Sequence, residues 1–347
     1  MLYLCKEMKI VIAPDSFKEC LPAREVARII AQAAREARPG SEVVTIPLAD
    51  GGEGTLDVLL PALGGQMEVT TVSDPLGRPV QARFGMAGET AVIETAQACG
   101  LMLLRPEERR PLIASTRGVG ELLLAARRKG CTHFLVGLGG SATCDGGAGM
   151  MTVPGLREAM QGTTVELLCD VDAPFVGPAG AARVFGPQKG ATPAEVELLE
   201  ARMAGLARSM AAQTGVDPSN VPGAGAAGGL GGAMMAYFGA RKQSGIERVL
   251  ALTGFDQAVT DASLVITGEG KSDRQTLQGK AAVGVLRHAG DVPVALVSGR
   301  LEDAPALKEA GFRYLAEVSP RAVPLEEALR PEVAGARLFE AVLRLLR

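Results

Sequence analysis

The chain has 347 residues, 47% of them hydrophobic and 22% charged, with a net charge of −3 at pH 7. That length exceeds one ordinary core and predicts two domains. The slightly acidic balance, the absence of Trp and the scarcity of Tyr and Phe leave neither a basic surface nor a stacking platform for nucleic acid. No apolar run reaches the roughly 20 residues of a membrane-spanning helix, and the N-terminal stretch lacks the apolar centre of a signal peptide. Six cysteines, at positions 5, 20, 99, 131, 144 and 169, form no C-x-x-C pair and read as small buried thiols of a reducing compartment. A cytoplasmic protein without membrane partners is expected. The two histidines, His133 and His288, offer little material for a Ser-His-Asp triad or a histidine metal centre, so carboxylates are the expected acid–base groups.

In chain order, an apolar strand over 9–12 is followed by a helix over 22–38, whose end is marked by Pro39-Gly40. A second strand over 43–48 leads to a helix over 53–63. This β-α-β-α order predicts a parallel sheet covered by helices. Strand patterns over 67–72, 80–86 and 90–95 then follow one another without helices, with a turn at Asp74-Pro75-Leu76-Gly77, and announce a partly antiparallel unit. A helix over 121–129, strands over 133–138 and 165–169, a long helix over 193–213 and a glycine- and alanine-rich helix over 224–238 come next. Alternation returns with a strand at 264–266, a helix over 279–288, a strand over 292–297, a helix over 304–310, a strand over 313–318 and a closing helix over 334–346. The predicted fold class is α/β in two domains. A Rossmann- or flavodoxin-like parallel-sheet domain is built from both chain ends (1–72 with 258–347), a second α/β domain (73–257) is inserted, and the active site lies in the cleft between them.

Several turns carry chemistry. Asp15, Ser16 and Lys18 leave the first strand, where ligands bind in open parallel sheets; a capped surface turn is the alternative. Asp50-Gly51-Gly52-Glu53-Gly54-Thr55 opens a helix, whose N-terminus favours an anion, though Asp50 could equally cap it. Gly137-Leu138-Gly139-Gly140-Ser141-Ala142 fits G-x-G-x-x-A and raises a dinucleotide reading. Ser141, Thr143 and Asp145 in the same loop suit phosphate and Mg²⁺ better. Gly223-Ala224-Gly225-Ala226-Ala227-Gly228 matches G-x-G-x-x-G but follows no strand. Gly268-Glu269-Gly270-Lys271-Ser272 resembles the tail of a P-loop, yet Val265 stands where that motif needs Gly. Asp170 and Asp172 offer either a hard-cation site or a capped turn, and Lys189 either neutralises phosphate charge or is a solvated lysine.

Taken together, APDSFK, PLADGGEGT, DPLGRPV, GVGELLLAA, GLGGSATCDGGAGM, CDVDAPF, FGPQKGA, PGAGAAGGLGG and LVITGEGKSDRQTLQGK, in this order, resemble the glycerate kinase type I family over nearly the whole chain. The resemblance implies two α/β domains, one flavodoxin-like and one restriction-enzyme-like, with ATP-dependent phosphorylation of glycerate in the cleft and 2-phosphoglycerate as product. The chain departs from the family at Glu19-Cys20, where Gly-Ser is usual, at Cys144 in place of Asn, at Lys271 in place of Arg and at Arg274. It is also short between Met151 and Val165, where relatives carry an additional strand-and-turn segment and a shortened edge hairpin is expected. On this reading Asp50 orients or deprotonates the attacking hydroxyl, with Asp273 as second choice and Lys18 assisting. Asp15, Ser16, Lys18, Gly51, Gly52 and Glu53 bind glycerate. Gly139, Gly140, Ser141, Thr143, Gly146, Gly147 and Lys189 hold the ATP phosphates. Asp145 and Glu269, or else Asp170 and Asp172, hold Mg²⁺. A monomer or homodimer is expected. Phosphorylation at O3, an NAD(P)-dependent dehydrogenase and a non-catalytic sugar-acid binder are the competing readings.

Overall fold

The computed structural model describes residues 8–274, 276–319 and 323–347, and it has the expected mixed α/β fold. The chain divides into two compact units: one holds the described residues up to Asp50 together with Ile246–Arg347, the other Gly51–Gly245.

The chain-end unit starts with β1 (Lys9–Ile12) and β2 (Glu42–Thr45). The inserted unit carries β3 (Gln66–Ser73), β4 (Pro79–Ala87), β5 (Thr90–Glu94), β6 (His133–Gly137), β7 (Thr164–Leu168) and β8 (Arg241–Gln243). The chain then returns with β9 (Leu264–Ser272), β10 (Val294–Leu301) and β11 (Tyr314–Glu317). In the chain-end unit all strands are parallel, in the order β11-β10-β9-β1-β2. Its central strands are continuous apolar runs because helices cover both faces: Ile10, Val11 and Ile12 are fully buried. The helices Ala23–Ala37 and Pro331–Leu346 share one core, with Val26 and Ile30 of the first and Leu338 and Val342 of the second in one apolar cluster. From β1 the chain steps outward to β2; from β9 it steps the opposite way to β10 and β11. The order therefore reverses between β1 and β9, and open parallel sheets bind ligands beyond the strand ends at such a reversal.

The inserted unit's sheet follows chain order, β3-β4-β5-β6-β7-β8, antiparallel through β5 and parallel from there. It contains no reversal. A large core that includes Phe84, Phe134 and Phe175 fills it.

Four expectations need correction. The unit boundaries fall at 50/51 and 245/246, not at 72/73 and 257/258. The helix Thr55–Ala62 belongs with the inserted sheet because Glu94, at the end of β5, binds the Leu56 N–H. The helices Gly245–Thr253 and Phe255–Val259 are tied to Ala281–His288, where His288 lies 2.6 Å from both Glu247 and Asp256. Second, the expected helix over 224–238 begins only at Leu230. Ala227, Gly228 and Gly229 have φ of 52°, 67° and 90°, and a Cβ on Gly228 would collide with the Thr143 carbonyl, so this backbone is bent to lie against the 139–147 loop. Third, Gly268–Ser272 is not a loop. It extends β9, because Lys271 and Ser272 keep pairing with Arg300 and Leu301 of β10. Fourth, the shortened stretch leads into β7, an interior strand between β6 and β8 rather than an edge. It runs through the turn Met150–Thr152 and the short helix Leu156–Ala159.

Candidate active site

In the chain-end unit the reversal between β1 and β9 gathers carboxylates. Asp15 follows β1 and is fixed beside β9 by its N–H, which donates to the Gly268 carbonyl (2.8 Å). Its side chain is only 7% exposed, and its Oδ1 accepts the Ser16 N–H (2.6 Å). Burial, with the Asp50 and Glu269 carboxylates nearby, pushes the Asp15 pKa up to about 7, against the pull of the Ser16 N–H and the Lys18 ammonium. Asp50 closes the segment after β2, which is held to the segment after β1 by the Leu48 N–H donating to the Pro14 carbonyl (2.8 Å). Lys18 is exposed on the tight turn in which Phe17 and Leu21 exchange backbone hydrogen bonds (2.8 Å each). The structure thus brings Asp15, Ser16, Lys18, Asp50 and Glu269 to one end of one sheet.

Glu269 is buried on β9. Its Oε1 accepts the hydroxyls of Ser272 (2.9 Å) and Thr276 (2.6 Å), and Ser272 in turn meets the Ser298 hydroxyl (2.6 Å). Its Oε2 lies 3.8 Å from the Lys280 ammonium. Burial raises the Glu269 pKa, opposed by Thr276, Lys280 and Ser272. Asp273 faces Lys271 (3.5 Å), which also reaches Glu302 (3.1 Å). Thr276 and Ser298 were not singled out by sequence reasoning: one follows β9 in a turn and the other lies on β10, so only the pairing of β10 with β9 and the turn back bring them to Glu269.

In the inserted unit the glycine-rich turns are held by a different logic. Gly51 and Gly139 are glycines because backbone packs on backbone: a Cβ on Gly51 would strike the Leu168 carbonyl, and one on Gly139 would stand 2.5 Å from the Gly52 Cα. The first turn of the helix Thr55–Ala62 is held from within the chain as well. Buried Glu94 accepts the Leu56 N–H (2.7 Å) and the Thr55 hydroxyl binds the Gly52 carbonyl (2.7 Å), so the chain's own carboxylate holds one N–H of this helix start. An acidic residue closing an otherwise apolar strand was its sequence signal. Glu53 is exposed.

Lys189 is 2% exposed and donates to the Ser141 hydroxyl (2.9 Å) and the Thr143 carbonyl (2.7 Å); burial lowers its pKa. It is therefore a strut inside the 139–147 loop rather than the solvated lysine of the alternative reading, and Thr143, Gly146 and Gly147 are buried with it. Gly140, in the left-handed region at φ 74°, is exposed, and Gly139 is half-buried. Asp145 accepts four hydrogen bonds, from the Thr116 N–H (2.8 Å) and hydroxyl (2.9 Å), the Gly149 N–H (3.0 Å) and the Gly147 N–H (3.0 Å). Three of these bonds fall on Oδ2 and one on Oδ1, so Asp145 ties the loop to Thr116 as a structural hub. Asp170 binds the Ser244 hydroxyl (2.6 Å) and the Gly245 N–H (3.0 Å), while Asp172 pairs with Lys242. The two carboxylates thus engage separate partners.

Residues 10–157 and 151–347 match the model of the glycerate kinase family. The chain belongs to that family. It is 42% identical to a glycerate kinase of Bacillus subtilis, covering 92% of this chain and 93% of the relative. It is 40% identical to the glycerate 2-kinase of Escherichia coli, covering 93% of each. A solved protein of Salmonella typhimurium LT2, provisionally named glycerate kinase 2, superposes with a TM-score of 0.84 at 37% identity over 98% of both chains. The family match breaks in two at 151–157, and the alignment to the Bacillus protein runs over 354 positions although the chain has 347 residues and enters with 92% of them. Relatives therefore carry residues that this chain lacks, as its short stretch before β7 predicts.

The protein is thus an ATP-using kinase, and the dehydrogenase reading falls. Its physical flaw is visible as well: the G-x-G-x-x-A turn after β6 runs on through irregular backbone, so no helix N-terminus stands behind it for a pyrophosphate. Among the described residues no three His, Cys, Asp or Glu side chains converge as a metal cage. Among the described residues no helix is long and apolar enough to cross a membrane.

Proposed function

We propose that this kinase transfers the γ-phosphoryl group of ATP to O2 of D-glycerate and releases 2-phosphoglycerate. The observation that carries the reading is the buried Asp15 carboxylate, beside Asp50 and Glu269 at the sheet reversal, with the Lys18 ammonium close by. A small hydroxy acid needs a cation for its carboxylate and a proton acceptor for its hydroxyl, and this strand end offers both. The relative named glycerate 2-kinase supports O2 over O3.

Lys18 and the Ser16 hydroxyl bind the glycerate carboxylate. Asp50 orients the attacking hydroxyl and takes its proton, and Asp273 is the second choice. Asp15, with a pKa near the working pH, exchanges a proton with that position. ATP phosphates rest on the Gly139-Gly140 turn, whose shape Ser141 and Lys189 maintain. Mg²⁺ bound with ATP neutralises phosphate charge, and Glu269 would hold it. Phosphoryl transfer asks for positioning and charge neutralisation more than covalent chemistry. The five described cysteines are free, four of them buried, which suits a reducing cytoplasm. A phosphorus NMR spectrum of the product from ATP and D-glycerate tests the reading. The expected signal is that of the 2-phosphate ester; a 3-phosphate ester, or unchanged ATP, overturns it.

A further inference from the structure

The inserted unit holds a cavity of about 420 Å³ that no role above accounts for. Its walls come from three places: Pro111 and Leu112; Cys144 to Ala148 of the glycine-rich loop; and one face of the helix Pro193–Thr214, with Leu199, Met203 and Leu206 at helical spacing. Arg202 and Asp145 bring the charge among the lining residues. Four donors hold the Asp145 carboxylate in place, three on Oδ2 and one on Oδ1. The Arg202 guanidinium is held by the Leu112 carbonyl (3.0 Å).

We propose that this cavity takes the adenine base of ATP. The inference rests on the reading that the Gly139-Gly140 turn carries the phosphates. Three observations select the occupant. Triphosphate and glycerate need donors, and these apolar walls of Pro, Leu and Met offer few; a flat heteroaromatic base buries well against them. The volume is on the scale of small-molecule sites, roughly 300–1,000 Å³, and well above what a three-carbon acid fills. And the wall from Cys144 to Ala148 continues the loop that begins at Gly139, so base and phosphates are read by one segment. The Leu112 carbonyl has a second lone pair for the exocyclic amine, and the Arg202 plane can stack on the ring.

Gly205 permits a clean test. It lies in the helix interior and lines the cavity, and a Cβ there would find no atom nearer than Arg208 Nη2 at 3.9 Å. Replacing a helix-interior glycine favours the helix, so Gly205→Phe should fold while filling the space. Calorimetry with ATP and with inorganic tripolyphosphate separates base from phosphates. For wild type, ATP should bind more tightly than tripolyphosphate. In Gly205→Phe, ATP affinity should fall at least tenfold, to the tripolyphosphate level, with tripolyphosphate binding and the KM for glycerate unchanged. Arg202→Leu, at an exposed position, should give a several-fold loss of the same selectivity and serves if the first variant misfolds. Unaltered ATP affinity in a folded Gly205→Phe, or wild type that binds tripolyphosphate as well as ATP, overturns the base site while leaving the phosphate reading standing. Wild type that binds neither ligand defeats the phosphate reading itself.

Discussion

The two sets of glycine- and carboxylate-bearing turns differ in the charges that surround their buried groups. In the inserted unit the buried groups meet hydroxyls and backbone: Asp145 four donors, Lys189 the Ser141 hydroxyl and the Thr143 carbonyl, Glu94 the helix start at Leu56. In the chain-end unit burial is just as deep, yet Asp15, Asp50 and Glu269 lie close enough to raise the Asp15 pKa to about 7. A satisfied buried network holds a shape. A frustrated one stores a proton equilibrium that chemistry can use. The same residue types, glycine beside carboxylate, therefore do opposite work in the two places.

The sharpest way to break that contrast is Asp50→Asn. Loss of a positioned general base costs about 10²- to 10⁴-fold in rate, so kcat should fall by that factor with the melting temperature unchanged. Near wild-type turnover would move the base elsewhere and leave the frustrated cluster without its assigned task.

Asp145→Ala probes the other region. It leaves four donors short of an acceptor, and each stranded buried group costs about 1–3 kcal/mol. Because the loop will relax, a loss of about 3 kcal/mol in urea unfolding is expected, with the Mg²⁺ dependence of any residual activity unchanged. A stable Asp145→Ala protein with an altered Mg²⁺ requirement would mean that this carboxylate does ligate the metal.

Asp15 yields a pH test with a definite sign. Its folded pKa, about 7, is above the unfolded value near 3.8, so the folded state holds the extra proton between them. Its contribution to stability is complete below about pH 4 and is lost as pH rises through 7. Asp15→Asn should therefore stabilise the protein at pH 8 by about 2 kcal/mol and have little effect at pH 4, as read by urea melts at the two values. The kcat/KM profile of wild type should carry an ionisation near pH 7 that the variant lacks. Equal stability gains at both pH values would show that the carboxylate cluster is relaxed, like the loops of the inserted unit.

How much of this was legible in the sequence follows from what each pattern depends on. β1 reads directly because KIVI is buried on both faces, and the acidic turn after it reads because strand ends of parallel sheets bind ligands. Gly268–Ser272 looked like a loop because its glycines are locally permissive, and only pairing with β10, nearly thirty residues away, makes it strand. The 224–238 stretch scored as helix by composition, yet three left-handed residues are imposed by the 139–147 loop it must pass. The surroundings of Asp145 and Lys189 are hidden for the same reason: a motif names the groups present, whereas their partners, Thr116 and the Thr143 carbonyl, come from packing.

The smallest expected effect lies at Glu19, in the turn that presents Lys18. Glu19 has φ of 61°, a left-handed conformation that costs an L-residue about 1–2 kcal/mol and glycine almost nothing. Glycine also gives up more entropy on folding, by roughly 0.5–1 kcal/mol, so the net gain for Glu19→Gly is at most about 1 kcal/mol. The urea midpoint should rise slightly while the KM for glycerate stays put, because Phe17 and Leu21 close the turn through backbone hydrogen bonds that the change does not touch. A rise in that KM would show instead that the strained residue aims Lys18, and that frustration in the chain-end unit extends from its charges to its backbone.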